Sequence, residues 1–198
     1  MNKRVILITG TPAVGKTTIA NRLAEKLNAQ YVNLTDLSER EHLALAQDKK
    51  RHTTIIDEAK MRRKLKNIIQ DSKKDLVIDG HYAAVVTPKA AVTNVFVLRR
   101  NPEELREFMK RRGYDTTKQE ENLSAEILDV CLVEALQKHD KQRVCELDIT
   151  GKPLEDTLRE VLEVLEGKKP CYVGIVDWLG LLEREGKLNQ YMKPNTRF

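Results

Sequence analysis

The sequence predicts an α/β protein with a five-stranded parallel sheet flanked by helices. Short apolar runs alternate along the chain with longer segments of helical spacing, which is the pattern of a parallel sheet joined by helical crossovers. The first run, 5–9, is continuously apolar up to its end and is typical of a strand buried on both faces. The chain has 198 residues, a length suited to one domain with small inserts.

The elements of the first half follow from the spacing of apolar residues. After the first strand, residues 17–27 place Ile19 and Leu23 on one helical face. Residues 31–34 are rich in β-forming side chains and predict a second strand. The other predicted elements of this half are a helix at 36–47, a polar loop at 48–54 and a helix at 55–69.

The second half continues the alternation. Two buried strands are predicted at 76–79 and 94–98, and Asn101 followed by Pro102 is typical of the start of a helix that ends at Gly113. The remaining predicted elements are a helix at 123–136, a strand at 143–149 and a helix at 154–165. Beyond them we expect a short amphipathic piece at 175–182 and then a loose polar tail.

The composition is that of a globular protein. Hydrophobic residues make up 40% of the chain and charged residues 33%, which excludes a disordered chain. The 35 Lys and Arg residues exceed the 30 Asp and Glu residues, and the net charge of +5 favours anionic partners such as nucleotides or RNA. The longest apolar run, 82–86, is too short for a transmembrane helix, so no membrane association is expected.

The cysteines predict reduced thiols. Cys131, Cys145 and Cys171 are odd in number, widely separated and without a C-x-x-C pair, so we expect neither a disulfide framework nor a zinc site. The apolar stretch near the amino end is too short for a signal peptide. We therefore expect a cytoplasmic protein, and a monomer.

One segment carries a phosphate-binding motif. Residues 10–17, Gly-Thr-Pro-Ala-Val-Gly-Lys-Thr, match G-x-x-x-x-G-K-[ST] between a predicted strand and a predicted helix. The glycines permit backbone conformations in which N–H groups surround phosphate oxygens, and the helix N-terminus adds positive partial charge. Lys16 would reach the β- and γ-phosphates and Thr17 would ligate Mg²⁺. The predicted ATP-binding residues here are Gly10, Ala13, Val14, Gly15, Lys16, Thr17 and Thr18.

A second element belongs with this loop. The apolar strand at 76–79 ends in Asp79, as expected of the carboxylate that holds Mg²⁺ beside a bound triphosphate. Thr17 and Asp79 are thus the predicted metal ligands, and ATP and Mg²⁺ are the predicted cofactors.

These motifs and later ones resemble a known family. The set is similar to the adenylate kinase 6 type, a branch of the P-loop nucleoside monophosphate kinases, and the resemblance covers about residues 4–165. The matching pieces are residues 9–18, Asp79-Gly80-His81, Arg112-Gly113-Tyr114 and residues 121–127. The resemblance implies a P-loop kinase fold, adenylate kinase and ATPase activity, and a part in maturation of the small ribosomal subunit. AMP or a related monophosphate, a small-subunit ribosomal protein and pre-rRNA are the implied partners.

The resemblance also implies how the chain is divided. A kinase domain at 1–167 contains a monophosphate-binding segment at about 30–53 and a short lid at about 111–120, and 168–198 form a C-terminal extension. Arg112 matches the lid arginine that contacts ATP. Its planar, charged fork at a helix end suits that role, although an exposed arginine there would also favour the helix dipole.

On the donor side the sequence departs from the family at two places. Ala13 stands where the family usually has Gly, and we expect the loop to close with a negative φ at this residue. Phe108 lies one turn before Arg112, where ordinary adenylate kinases have an arginine, and no arginine occurs from 113 to 142. Because fixed cations stabilise a transferring phosphoryl group, we expect weak kinase activity, with water as a competing acceptor.

The acceptor side departs as well. Glu39 occupies a position at which many relatives have an arginine that faces AMP, and Arg40 or Arg51 could substitute for it. The acceptor is the least readable part of the sequence, so a kinase for another small metabolite stays an alternative.

His81 and a basic helix leave further alternatives. His81 lies two residues after the predicted magnesium carboxylate, where an imidazole with a pKa near neutrality could orient or deprotonate an attacking water, or simply bond to loop backbone. The basic run at 60–66 fits either RNA or a solvated helix face, and Arg99 and Arg100 fit either nucleotide or solvent. A rival to the kinase is therefore a nucleotide-switched assembly factor that binds a ribosomal protein or rRNA.

Overall fold

A five-stranded parallel sheet forms the centre of the computed structural model, which describes residues 3–48 and 53–192. The strands are β1 (Val5–Gly10), β2 (Gln30–Asn33), β3 (Ala44–Asp48), β4 (Thr53–Ile56), β5 (Leu76–Asp79), β6 (Asn94–Arg99) and β7 (Val144–Asp148). The helices are α1 (Lys16–Leu27), α2 (Leu34–Arg40), α3 (Glu58–Asp71), α4 (Ala83–Val86), α5 (Pro102–Arg111), α6 (Thr116–Ile127), α7 (Val130–Lys138), α8 (Leu154–Leu165), α9 (Trp178–Arg184) and α10 (Leu188–Tyr191). The predicted fold class and the five predicted strands are confirmed.

The order of the strands decides where a ligand can bind. The sheet runs β2-β5-β1-β6-β7, so the chain leaves β1 toward one side for β2 and later returns to its other side for β6. In open parallel sheets, ligands bind beyond the carboxyl ends of the strands at such a reversal. The loop after β1 therefore lies at the favoured position.

The first strand is buried on both faces, as its apolar sequence predicts. Ile6 and Ile8 pack into one core, with α1 and α8, while Val5 and Leu7 pack into a second core on the opposite face, with α3 and α7. Because residues alternate across a strand, each face of the sheet has its own apolar layer.

The predicted helix start at Asn101 is also confirmed. Asn101 precedes α5, and its Oδ1 accepts a hydrogen bond from the Glu103 N–H at 2.8 Å.

The predicted helix at 36–47 is wrong beyond Arg40. The structure has a hairpin there, in which β3 pairs antiparallel with β4, and β4 also replaces the first residues of the helix predicted at 55–69. Helix α2 ends before His42, whose φ of +51° lies in the left-handed region, and Leu45 in β3 is 62% exposed. The hairpin begins inside the monophosphate-binding segment predicted at about 30–53 and continues past it to Ile56, and the loop between its strands lies outside the described residues.

The predicted helix at 123–136 is two helices. The chain breaks at Asp129, whose φ of +57° places it in the left-handed region, between α6 and α7. Apolar spacing continues across this break, so periodicity did not reveal it. Asp tolerates this conformation better than most residues do, and its carboxylate is held here by Arg99.

The C-terminal extension is ordered as far as the structure describes it. Trp178 and Leu182 on α9 are buried against the first core, as the amphipathic pattern predicts. Tyr191 on α10 is also buried, so the prediction of a loose tail is wrong up to that residue, and residues 193–198 lie outside the described part. The extension also runs along the sheet edge, where the Glu146 N–H donates to the Tyr172 carbonyl at 2.8 Å.

Two cysteines correct a further prediction. Cys145 on β7 and Cys171 in the extension form a disulfide, and Cys131 is free. The expectation of three reduced thiols was wrong for this pair, because a separation of 26 residues along the chain gave no sign that the extension returns along β7. The two Cα atoms are 4.7 Å apart.

Within residues 3–48 and 53–192, no helix is long and apolar enough to cross a bilayer.

Candidate active site

A cleft of about 900 Å³ opens at the carboxyl ends of the central strands. The loop after β1 forms its floor, the hairpin and α2 form one wall, and the segment predicted to be a lid forms the other. The structure brings the predicted residues Lys16, Thr17, Asp79, His81 and Arg112 together around this cleft. Gly10, Val14 and Thr18 do not line it, and the Val14 side chain is buried in the core.

The two glycines of the loop are required by its shape. Gly10 has a φ of +138°, and a Cβ there would lie 2.5 Å from the Leu98 carbonyl oxygen. Gly15 has a φ of +118° at the start of α1. Both conformations are rare for residues with a side chain, so the motif glycines set the bend of the loop.

Ala13 does not have the negative φ that we expected. Its φ is +68°, in the left-handed region, and its methyl group is buried. The loop closes in spite of this, at a conformational cost of about 1 kcal/mol relative to glycine. Burial of the methyl group against the first core offsets part of that cost.

Lys16 folds back onto the loop. Its Nζ donates to the carbonyl oxygens of Gly10 at 2.9 Å and Thr11 at 3.0 Å. Burial lowers the pKa of Lys16 below its ordinary value, and the nearby Asp79 carboxylate opposes this shift. The ammonium group is therefore poorly solvated and has only weak carbonyl partners, which favours its transfer to phosphate oxygens.

Asp79 is the centre of a hydrogen-bond cluster. Its Oδ2 accepts from the Thr17 hydroxyl at 2.8 Å, the Asn33 amide at 2.9 Å and the Tyr31 hydroxyl at 3.0 Å. Burial, together with the adjoining Asp79 carboxylate, raises the pKa of Tyr31 to about 12. These contacts fix the rotamer of Asp79 at the floor of the cleft.

Tyr31 and Asn33 were not predicted as site residues. They lie on β2 two residues apart, so they point to the same face, and Asn33 lies opposite Asp79 in the β2–β5 register. A polar pair at this spacing in the predicted second strand was a signal, but the neighbouring strand could not be known from the sequence.

The donor set fits a magnesium ion bound with a triphosphate. A hydroxyl and a carboxylate oxygen are hard ligands, and Mg²⁺ is usually held by one or two such groups with water and substrate phosphates. Among the described residues no group of three or more His, Cys, Asp or Glu side chains could hold a metal alone. The phosphates of the nucleotide would therefore supply part of the coordination.

His81 faces the cleft beside this floor. Its carbonyl oxygen accepts from the Thr9 hydroxyl at 3.0 Å, and its ring meets Tyr82 edge-on at 4.7 Å. Although the side chain is solvent exposed, the partial desolvation inside the cleft and the charges of Lys16 and Lys118 lower its pKa to about 4. The imidazole is thus neutral at neutral pH, which suits orientation of water and corrects the expectation of a pKa near neutrality.

The predicted lid contributes two cations. Arg112 caps the end of α5 and lines the cleft, as predicted, and Lys118 on the first turn of α6 joins it. Lys118 Nζ lies 4.9 Å from the centre of the Tyr114 ring, another residue of the cleft wall. Lys118 was not predicted as a site residue.

Other arginines near the site are engaged elsewhere. Phe108 stands where ordinary adenylate kinases have an arginine. The guanidinium groups of Arg100 and Arg111 lie over its ring, with Cζ atoms 4.7 Å and 4.5 Å from the ring centre. Arg99 faces neither nucleotide nor solvent, because it is 1% exposed and ion-paired with Glu126, Asp129 and Glu146. Both alternatives considered for Arg99 are therefore wrong.

The predicted acceptor side of the cleft is acidic. Glu39, Glu58 and Glu134 line it, and burial together with the charge of Glu58 raises the pKa of Glu134. Arg40 does not line the cleft, and Arg51 lies outside the described residues. The cations that the described residues provide are thus concentrated at the donor side.

Comparison with known proteins identifies relatives of nearly full length. The model of the AAA domain family matches residues 6–129. A protein of Pyrococcus furiosus named "Putative adenylate kinase" is 37% identical over 179 residues, which are 90% of this chain and 93% of the relative. A protein of the same name from Thermococcus kodakarensis is 40% identical over 174 residues, covering 88% and 92%.

Solved structures share the architecture at low sequence identity. A shikimate kinase from Acinetobacter baumannii has a TM-score of 0.61 and 15% identity, over 85% of this chain and 96% of that one. A sugar kinase from Janibacter has a TM-score of 0.57 and 18% identity, over 83% and 95%. These likenesses confirm the predicted P-loop kinase fold.

Proposed function

We infer the activity from the family: this chain belongs to the AAA domain family, and it is a P-loop kinase. We propose that it transfers the γ-phosphoryl group of ATP to AMP or a related nucleoside monophosphate, with Mg²⁺, and that it also hydrolyses ATP. The contact that carries the proposal is the hydrogen bond of 2.8 Å between Thr17 and Asp79, directly beside Lys16. It joins the two predicted metal ligands beneath the predicted phosphate site.

The donor side supports the transfer half of the proposal. Thr17 and Asp79 would hold the metal, which supplies charge neutralisation of the phosphates when bound. Lys16 and Arg112 would stabilise negative charge on the transferring group, and backbone N–H groups of the loop would hold its oxygens. The names of the archaeal relatives favour a nucleoside monophosphate as acceptor.

The acceptor side supports the hydrolysis half. Among the described residues the cleft has one arginine, and its acceptor wall carries three glutamates. A monophosphate acceptor would meet unfavourable charge there, whereas a water molecule would not. His81, neutral and facing the cleft, would orient that water. We therefore propose slow transfer to AMP accompanied by release of inorganic phosphate.

The test supplies Mg-ATP with and without AMP and follows ADP and inorganic phosphate separately. We expect ADP formation to rise with AMP and phosphate release to persist without it. Lys16→Ala should abolish both, and phosphate release that survives this substitution would reveal a contaminating enzyme. His81→Ala should reduce phosphate release more than transfer, because transfer does not need an oriented water.

An outcome with AMP-dependent ADP and no phosphate release would contradict the hydrolysis half alone. An absence of any binding of Mg-ATP in calorimetry would contradict the whole proposal.

We propose as a second candidate a nucleotide-switched assembly factor in small ribosomal-subunit maturation, with incidental kinase activity. The resemblance to the adenylate kinase 6 type suggests it, and the scarcity of cleft arginines favours it. Exposed basic residues on α3 offer a surface for RNA, although Lys64 pairs with Glu41 and Lys60 with Asp57. Co-purification of a ribosomal protein or pre-rRNA that differs between ATP and ADP would favour this candidate over a dedicated kinase.

A further inference from the structure

Glu126 lies behind the phosphate-binding loop and has no role in the proposed function. Its residue on α6 is 2% exposed. Its Oε2 accepts a short hydrogen bond from the hydroxyl of Thr11, the residue that follows Gly10 in the loop. A carboxylate buried this deeply needs several donors, and hydrogen bonds to an ionised group are stronger than those between neutral groups.

The other oxygen of Glu126 joins two more parts of the chain. Oε1 accepts from Arg99 Nε at 2.9 Å and from the Arg100 N–H at 3.1 Å, both at the end of the sheet. It also accepts from the indole N–H of Trp178 at 3.2 Å, which belongs to α9 of the C-terminal extension. One buried carboxylate thus connects the loop, the end of the sheet and the extension.

The extension is held at the same buried cluster by a second carboxylate. Arg99 also donates to Glu146 at 2.6 Å. The other oxygen of Glu146 accepts from the backbone N–H groups of Gly174 at 2.6 Å and Ile175 at 2.9 Å. Arg99 bridges the two glutamates, and Glu146 in turn holds the segment that leads to Trp178.

The hydrogen bond between Thr11 and Glu126 affects the part of the loop that would bind phosphate. The Thr11 carbonyl accepts from Lys16 Nζ at 3.0 Å and from the Val14 N–H at 3.2 Å. The position of Thr11 therefore sets both the bend of the loop and the resting place of Lys16. Fixing such a loop before the ligand arrives reduces the ordering cost of binding.

We propose that Glu126 is a positioning residue for the phosphate-binding loop and that Trp178 of the C-terminal extension holds it in place. The inference rests on the proposed binding of a nucleoside triphosphate by that loop. It gives the extension a part in nucleotide binding, although none of the residues described between 168 and 192 lines the cleft. Occupation of the loop should in turn alter the surroundings of the indole ring.

The experiment uses the intact chain and Mg-ATP, with binding measured by calorimetry in wild type and in Glu126→Gln. The substitution keeps the volume and removes the charge that Thr11 and Trp178 contact. We expect affinity to fall about tenfold, which corresponds to about 1.4 kcal/mol. Leu182→Ala is the matched control, because Leu182 is a buried residue of α9 that contributes apolar packing. It should lower thermal stability and leave affinity unchanged.

A second measurement covers the case in which Glu126→Gln does not fold. Trp178 is the single tryptophan of the chain, so its fluorescence reports on the extension alone. We expect saturating Mg-ATP to change the emission in wild type and in Thr11→Ser, which keeps the hydroxyl. The change should be lost in Thr11→Val, which removes it.

The outcomes separate this inference from the proposed function. If wild type does not bind Mg-ATP, the proposed function fails. If wild type binds and Glu126→Gln binds equally well, the inference about Glu126 is overturned. An emission change that persists in Thr11→Val would also overturn it, since the signal would then travel by another route, such as α6 and the lid.

Discussion

The hydroxyl of Thr17 donates a hydrogen bond of 2.8 Å to Oδ2 of Asp79, across 62 residues of sequence. The two side chains meet because β5 pairs in parallel with β1, which places the end of one strand beside the loop that follows the other. Asn33 and Tyr31 donate to the same oxygen and hold the carboxylate still. A hydroxyl and a carboxylate in this geometry are ready to share one divalent cation.

Thr17→Val tests that arrangement. The substitution keeps the shape of the side chain and removes the oxygen, so we expect turnover with Mg-ATP to fall about a hundredfold, the scale of losing one preorganised group beside a reacting phosphate. The half-saturating Mg²⁺ concentration should rise as well. Both quantities come from a magnesium titration at fixed ATP. Thr17→Ser retains the hydroxyl and should stay within a few-fold of wild type, and equal turnover in Thr17→Val and wild type would contradict the assignment.

His81 yields a prediction about pH. Its pKa of about 4 lies below that of an ordinary histidine, so the imidazole is neutral throughout the neutral range and gains a proton only in acid. We expect kcat/KM for phosphate release to show no titration of His81 between about pH 6 and pH 8, with any acid limb nearer pH 4. The measurement is a pH–rate profile of wild type and His81→Gln. A limb near pH 6.5 that disappears in His81→Gln would contradict the prediction.

Ala13 yields a prediction about stability. Ala13→Gly removes the conformational cost of a left-handed alanine, which is about 1 kcal/mol. It also removes a buried methyl group that stabilises the fold by about 0.8 kcal/mol. The two effects oppose each other, so the free energy of unfolding should change little. Ala24 on α1 is the matched control, since it is equally buried but helical. Ala24→Gly should cost about 2 kcal/mol. Denaturant unfolding measures both, and similar losses in the two variants would show that Ala13 is unstrained.

What the sequence predicted correctly is encoded locally. The phosphate loop needs glycines at fixed offsets, and Asp79 ends an apolar strand, so both are visible without knowledge of the fold. The strands β1, β5 and β6 were found because burial on both faces makes them largely apolar. The left-handed φ of Ala13 was missed, because the residue type alone argued for the opposite sign.

What the sequence did not predict depends on neighbours in space. Tyr31 and Asn33 acquire a role only when β2 pairs with β5, and Arg99 becomes a buried ion-pair centre only when α6 and β7 pack beside it. The first strand of the hairpin was predicted as helix from Leu37, Leu43, Leu45 and Ala46, and it becomes recognisable as a strand only when it pairs with β4. Cys145 and Cys171 were judged by separation along the chain, which does not measure distance across it.

The disulfide provides a test of the extension. Closing a loop of 26 residues removes conformational freedom from the unfolded chain, and we expect the bond to contribute about 3 kcal/mol to the free energy of unfolding. Cys171→Ser should lower stability by this order. A reductant should destabilise wild type to the same extent and leave Cys171→Ser unaffected. Equal stability of wild type with and without reductant would contradict a stabilising role of the bond.

Glu39 offers the sharpest test of the acceptor side. Its carboxylate lines the cleft opposite the donor cations, where it would repel an approaching monophosphate. Glu39→Gln removes that charge, so we expect the KM for AMP in ADP formation to fall several-fold. AMP-independent phosphate release should not change, because water carries no charge to repel. Steady-state kinetics with varied AMP measure the first quantity, and a phosphate assay without AMP measures the second.

Glu41→Gln is the control for this pair of measurements. Glu41 lies two residues further along, does not line the cleft and pairs with Lys64 at 2.8 Å, so its loss changes the net charge equally without altering the acceptor wall. A fall in the KM for AMP in both variants would indicate a long-range effect of the net charge of the protein rather than local repulsion of AMP by Glu39. No change in Glu39→Gln would mean that AMP binds away from this glutamate, and the acceptor would then have to lie nearer the lid, where Arg112 and Lys118 provide the charge.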